Sequence, residues 1–157
     1  MGLQVGCIHH ETTSGILNPI EAIGQAIKAH DPEISYFVDS MSAFGAYSVD
    51  LEAANVAYLV SSANKNIEGV PGFAFALCRR LSPSPLPAGP SLAACSSKLH
   101  AEGLNARSLS LDLLAQWKGL NNNGQFRFTP PCHALLAFRC LRPLPAPPDG
   151  PLQASSR

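Results

Sequence analysis

The chain has 157 residues with 11 basic and 11 acidic side chains, and neither a basic run nor an acidic tail, which argues against nucleic acid and anionic membranes as partners. An apolar fraction of 46% is enough to build one core. No apolar run approaches the roughly 20 residues that cross a bilayer. Residues 1–6 lack the basic and apolar regions of a secretory signal, so a cytoplasmic location is expected, with mitochondrial and peroxisomal ones left open. Five cysteines (Cys7, Cys78, Cys95, Cys132 and Cys140) stand at irregular spacings with no CxxC or His/Cys pattern, so free thiols and no metal site are expected.

Residues 3–8 read as a short strand that runs into His9-His10-Glu11-Thr12-Thr13-Ser14-Gly15. Adjacent histidines on an extended chain point to opposite sides, so His9 and His10 make a poor chelating pair. The hydroxyls of Thr12, Thr13 and Ser14 fit either an anion or ligand oxygen, or ordinary turn chemistry. A helix follows, with Asn18 as N-cap, Pro19 at the first position and Glu21 at the positive end. Ile20, Ile23, Ala26 and Ile27 share its apolar face, and Asp31-Pro32 ends it.

Residues 33–38 read as a second, largely buried strand that delivers Asp39. A carboxylate there suits a ligand site, because ligands of α/β proteins bind beyond the carboxyl ends of the strands. It equally suits a cap on the next turn. Asp50-Leu51-Glu52-Ala53-Ala54 reads as a short capped helix, and residues 55–60 as a third strand. That strand feeds Ser61-Ser62-Ala63-Asn64-Lys65. A lysine at the mouth of a buried strand is either a desolvated amine able to attack carbonyls or a side chain that only solvates a loop. Strand, helix, strand, helix, strand predicts an α/β fold with a mostly parallel sheet. Residues 72–80 read as a fourth strand, antiparallel to the third because the turn before it is too short for a crossover.

Residues 81–104 begin with a Pro-rich run that can neither pair nor wind. Structure is expected to resume at 105–141: Leu111, Leu114 and Trp117 share a helical face broken by Asn121-Asn122-Asn123-Gly124. Residues 125–129 read as β-like, and Pro130-Pro131 opens a helix from 132 to about 141. Residues 142–157 read as a disordered tail.

The segments HHETTSGILNPIEAIG, YFVDSMSAFGAYSVDLEAANVAYLVSSANKNIEGVPGFAF, ARSLSLDLLAQWKGL and NGQFRFTPPCHALLAF resemble the class V, fold-type I pyridoxal-phosphate aminotransferases. Within that class the resemblance is nearest to the 2-aminoethylphosphonate–pyruvate transaminase subgroup, with alanine–glyoxylate and serine–pyruvate enzymes more distant. It implies that residues 1–80 are part of a cofactor-binding α/β domain, 81–104 an insertion and 105–141 a helical dimer-interface segment. It implies that Lys65 bonds covalently to pyridoxal 5'-phosphate and moves a proton, and that Asp39 pairs with the pyridine nitrogen. Thr12 aligns with a hydroxyl residue near the cofactor's phenolic oxygen, and Ser62 and Asn64 with positions near that oxygen or the phosphate. Thr129 aligns with a threonine that reaches the phosphate of the neighbouring subunit in family homodimers.

The implied reaction moves an amino group from 2-aminoethylphosphonate, or a similar amine, to pyruvate, a 2-oxo acid. Family members are more than twice as long as this chain, no arginine here aligns with the one that holds the substrate's acid group, and Cys132 replaces a usual threonine. The expectation is therefore an incomplete chain, inactive alone. The alternatives are a non-catalytic product that pairs with a full-length subunit, or an alanine–glyoxylate-type fragment.

Overall fold

The computed structural model describes residues 3–79 and 106–141. Strand β1 (Gln4–Ile8) leads into a two-stranded antiparallel ribbon of β2 (His10–Glu11) and β3 (Ile16–Leu17). Helix α1 (Ile20–His30) follows, then strands β4 (Ser35–Asp39), β5 (Tyr58–Ser62) and β6 (Ala74–Cys78). Two further helices, α2 (Leu113–Asn123) and α3 (Cys132–Arg139), complete the described elements. The main sheet has the order β1-β4-β5-β6; β1, β4 and β5 are parallel, and β6 is antiparallel to β5. The α/β class, the mostly parallel sheet and the reversed fourth strand are all as the sequence predicts.

Register divides the sheet into two faces. Val5 and Cys7 pair with Tyr36 and Val38, Val38 with Leu59, and Leu59 with Leu77. Against this face pack Ile20, Ile23 and Ile27 of α1, with Val49, Leu51, Ala54 and Val56 from the connection to β5. Each large side chain fully buried there contributes roughly 1.5–3 kcal/mol. The opposite face is covered at one end by α2, whose Leu114 and Trp117 pack on Tyr58 and Cys78. Over β1 and β4 it is open, leaving Ile8 and Phe37 42% and 37% exposed. Helix α3 packs on the turn before β6: Phe138 meets Phe73 edge-on at 5.2 Å between ring centroids.

Several local expectations are overturned. Asn18 does not cap α1; its amide donates to the Ile8 carbonyl at 2.7 Å and ties the helix start to the end of β1. Residues 51–55 form a hydrogen-bonded turn and no helix. Asp50 Oδ1 accepts from the amides of Glu52 and Ala53, and left-handed Asn55 (φ 52°) stops propagation before helix nucleation is offset. The third strand accordingly starts at Tyr58, not at residue 55.

Helix α2 begins at Leu113 because Asp112 caps it by accepting from Ala115 N at 2.9 Å, which leaves Leu111 outside and exposed. The asparagines do not break α2; it runs to Asn123 and stops at left-handed Gly124. Residues 125–129 have no partner strand among the described residues. There the Arg127 guanidinium instead donates to the Leu109 carbonyl at 3.0 Å. The Pro-rich run and the tail lie outside the described residues.

Gly24 stands where α1 crosses the turn at 50–55: a Cβ there would lie 1.7 Å from the Ala54 carbonyl oxygen. Gly24→Ala gains about 1 kcal/mol of helix propensity but forces the helix off the turn, an overpacking cost of about 3 kcal/mol. A net loss of about 2 kcal/mol is expected in urea unfolding, and a stabilised variant would contradict this packing.

Candidate active site

Parallel pairing sets the carboxyl ends of β1, β4 and β5 along one edge, where α/β sheets place their ligands. Asp39 is the last residue of β4, flanked by Ile8 on one side and Val60 on the other. Its Oδ1 accepts from Met41 N at 2.9 Å, so it does cap the next turn. A carboxylate has a second oxygen, and that capacity remains for another donor.

Ser62 lies two residues beyond Val60 on β5, so its side chain and that of Asp39 share the face opposite α1. On β6 the partners of Val60 and Ser62 are Ala76 and Ala74, whose methyl groups leave room on that face. The Ser62 hydroxyl is buried and has no hydrogen-bond partner among the described residues. Such a group costs roughly 1–3 kcal/mol unless something satisfies it. The family resemblance is what suggests a ligand near Ser62, and a buried hydroxyl without a partner among the described residues is compatible with one.

Lys65 is exposed in the turn that follows β5, with Asn64 exposed beside it. That turn is closed by Glu68 N to Lys65 O and Gly69 N to Ala63 O, both 2.8 Å. Thr12 opens the exposed turn at 12–15, which is closed by Gly15 N donating to Glu11 O at 2.7 Å. The structure thus brings Thr12, Asp39, Ser62, Asn64 and Lys65 to segments on one edge. Thr129 is exposed in the stretch that enters α3. Among the described residues, α3, which Thr129 leads into, packs on the turn before β6.

Residues that the sequence reading passed over hold this edge together. His9 is 4% exposed, its Nδ1 lies 3.1 Å from Ser40 Oγ, and its backbone N donates to the Asp39 carbonyl at 2.8 Å. Ser61 Oγ donates to the Ser40 carbonyl at 3.3 Å. Ser42 Oγ donates to the His10 carbonyl at 2.7 Å, and Asn66 Nδ2 to the Ser42 carbonyl at 2.8 Å. Considering the histidines only as chelators hid the structural use of His9. Asn66 carried a signal of its own, an amide directly beside the singular lysine. A groove of about 450 Å³ lined by His9, Asn18, Glu21, Gln25 and Ser48, among others, adjoins this edge without including Asp39 or Lys65.

The Aminotransferase class-V family model matches residues 4–108. The 2-aminoethylphosphonate–pyruvate transaminases of Klebsiella pneumoniae and Salmonella paratyphi C are 46% and 44% identical to this chain over 136 residues. The match takes in 86% of this chain and 32% of each relative, so the chain spans about a third of the length of the curated relatives it matches. Among solved structures, an aspartate aminotransferase from Thermus thermophilus superposes with a TM-score of 0.65 at 26% identity, covering 86% of this chain and 33% of that one. An alanine–glyoxylate aminotransferase from Nostoc sp. gives 0.62 at 20% identity, covering 87% and 32%, a likeness of fold alone.

Burial, and then the neighbouring His10, push the His9 imidazole below its ordinary pKa. A depressed histidine favours the neutral form in the fold, so its contribution is full above the unfolded value of 6.5 and is lost as pH falls through the folded value. Stability in urea should therefore fall as pH drops below 6.5, and His9→Gln should flatten that slope. A slope unchanged by the substitution would remove His9 as its source.

Proposed function

The chain belongs to the class V aminotransferase family, and from that premise we propose that its strand edge holds pyridoxal 5'-phosphate and serves amino-group transfer from 2-aminoethylphosphonate to pyruvate. The carrying observation is the placement, on one face and one edge, of the Asp39 carboxylate and of the buried Ser62 hydroxyl that lacks a partner among the described residues, next to the turn bearing Lys65.

The residues present fit the cofactor. The open oxygen of Asp39 would accept a hydrogen bond from the protonated ring nitrogen and keep that proton in place. Ser62 would donate its hydroxyl to a cofactor oxygen, and the exposed Asn64 amide and Thr12 hydroxyl would supply further donors. When bound, the cofactor supplies an electron-withdrawing ring that stabilises negative charge on the substrate carbon. Lys65, with its amine on a short turn at the mouth of β5, would hold the cofactor through Nζ, with water as the leaving group, and would carry a proton to and from that carbon. The small methyl groups of Ala74 and Ala76 leave space for a planar ring on this face.

The amine donor follows the relatives at 46% and 44% identity, which are transaminases of 2-aminoethylphosphonate and pyruvate. The active unit is proposed to be a homodimer in which Thr129 acts across the subunit boundary. Its exposure, with Phe126 and Phe128 beside it at 48% and 49%, supports that placement. A cytoplasmic location is part of the same reading; no helix among the described residues is long and apolar enough to cross a membrane.

Pyridoxal phosphate mixed with the chain should give a visible absorbance band that borohydride fixes onto the peptide containing Lys65, and Lys65→Ala should abolish both. Labelling at other lysines, with no band, would reject the site. Ser62→Ala should weaken cofactor binding about tenfold, as for one lost hydrogen bond of roughly 1.4 kcal/mol. The same variant should leave the cofactor-free protein as stable or slightly more so, because the hydroxyl it removes has no partner among the described residues. A loss of stability without cofactor would show instead that Ser62 serves the fold.

A further inference from the structure

Lys65 stands in a turn held by three backbone hydrogen bonds: Glu68 N reaches Lys65 O, Gly69 N reaches Ala63 O, and Ala63 N reaches Phe73 O just before β6. Those bonds set the shape of the turn without fixing its distance from Asp39. One side-chain bond does cross that gap, from Asn66 Nδ2 to the carbonyl of Ser42 at 2.8 Å. Ser42 lies three residues after Asp39, whose Oδ1 holds the start of the same turn through Met41 N at 2.9 Å. The Ser42 hydroxyl then donates to the His10 carbonyl at 2.7 Å, two residues before Thr12. Two hydrogen bonds meeting on Ser42 therefore join three chain segments far apart in sequence, at residues 10, 42 and 66.

We propose that Asn66 is a positioning residue: its amide straps the Lys65 turn to the turn after Asp39, and Ser42 extends the strap to the segment carrying Thr12. Asn66 and Lys65 are neighbours in the chain, so their Cα atoms stand about 3.8 Å apart across one rigid peptide unit. Fixing the first limits the second. Both Asn66 and Ser42 are partly buried, which shields the bond from competing water, whereas Lys65 itself is exposed and gains no such restraint from packing. What the strap positions rests on the functional reading above; the strap itself does not.

The test uses the full 157-residue chain. Without cofactor, Asn66→Ala should speed amide hydrogen exchange about three- to tenfold at residues 40–44 and 63–69, the loss of one hydrogen bond. The amides of the β5–β6 ladder should keep their protection. Should Asn66→Ala lose its circular-dichroism signal, Asn66→Asp, which keeps the shape and removes the donor, replaces it. Ser42→Ala retains the backbone acceptor, so it should loosen residues 10–13 and leave 63–69 protected.

With pyridoxal phosphate, Asn66→Ala should shift the pH midpoint of the bound-cofactor absorbance by about half a unit or more. A merely structural asparagine would not move that midpoint. Unchanged exchange at residues 40–44 overturns the strap, and altered exchange with an unmoved midpoint overturns the positioning role. If wild-type protein takes up no cofactor at Lys65, the functional reading fails, while the exchange experiment still decides whether Asn66 joins the two turns.

Discussion

The parallel pairing of β1 with β4 and of β4 with β5 is the constraint from which the rest of the candidate site follows. Parallel strands deliver their carboxyl ends to the same edge, so three separate connections begin side by side. A single-residue slip of β4 would turn Tyr36 and Val38 away from α1 and bury the Asp39 carboxylate in their place, against Ile20, Val56 and Leu59. Burying that charge without a partner costs several kcal/mol. The apolar packing against α1 therefore fixes more than stability; it decides which face receives the acid.

A second layer of control lies in short polar bonds at the edge. His9 to Ser40, Ser61 to Ser40, Ser42 to His10 and Asn66 to Ser42 are each ordinary in length. Their placement matters because two of them join the end of β1 to that of β4 and two join the end of β4 to that of β5. Helix packing positions the sheet, the sheet positions the turns, and these bonds limit how the turns move against one another. The face that carries Asp39 and Ser62 is lined on β6 by alanines and remains open over β1 and β4. That combination of polar edge and uncovered apolar floor fits a planar ligand with charged ends.

Much of the frame was legible because buried strands and an amphipathic helix leave strong local signals. Ile20, Ile23 and Ile27 at helical spacing and the apolar run through Tyr36 and Val38 gave α1 and β4 directly. The failures occur where a single side chain chose between two backbone partners. Asn18 reads as a cap but serves the end of β1; Asp50 does cap its turn, and left-handed Asn55 stops it after that one turn. Residues 125–129 alternate like a strand, yet alternation cannot supply the neighbouring strand that pairing requires. Asp39 and Lys65 were readable at the strand ends. The strap through Ser42 was not, because it joins positions whose proximity only the sheet register creates.

The central claim is that this edge, rather than the groove beside α1, receives the cofactor. Amide chemical-shift mapping by NMR during titration with pyridoxal phosphate tests it most directly. The account predicts that the perturbed amides cluster at residues 9–15, 39–44 and 61–69, with the β1–β4 ladder away from the edge unmoved. Perturbations centred on Asn18, Glu21, Gln25 and Ser48, with residues 39–44 and 61–69 silent, would place the ligand in the groove and contradict the account.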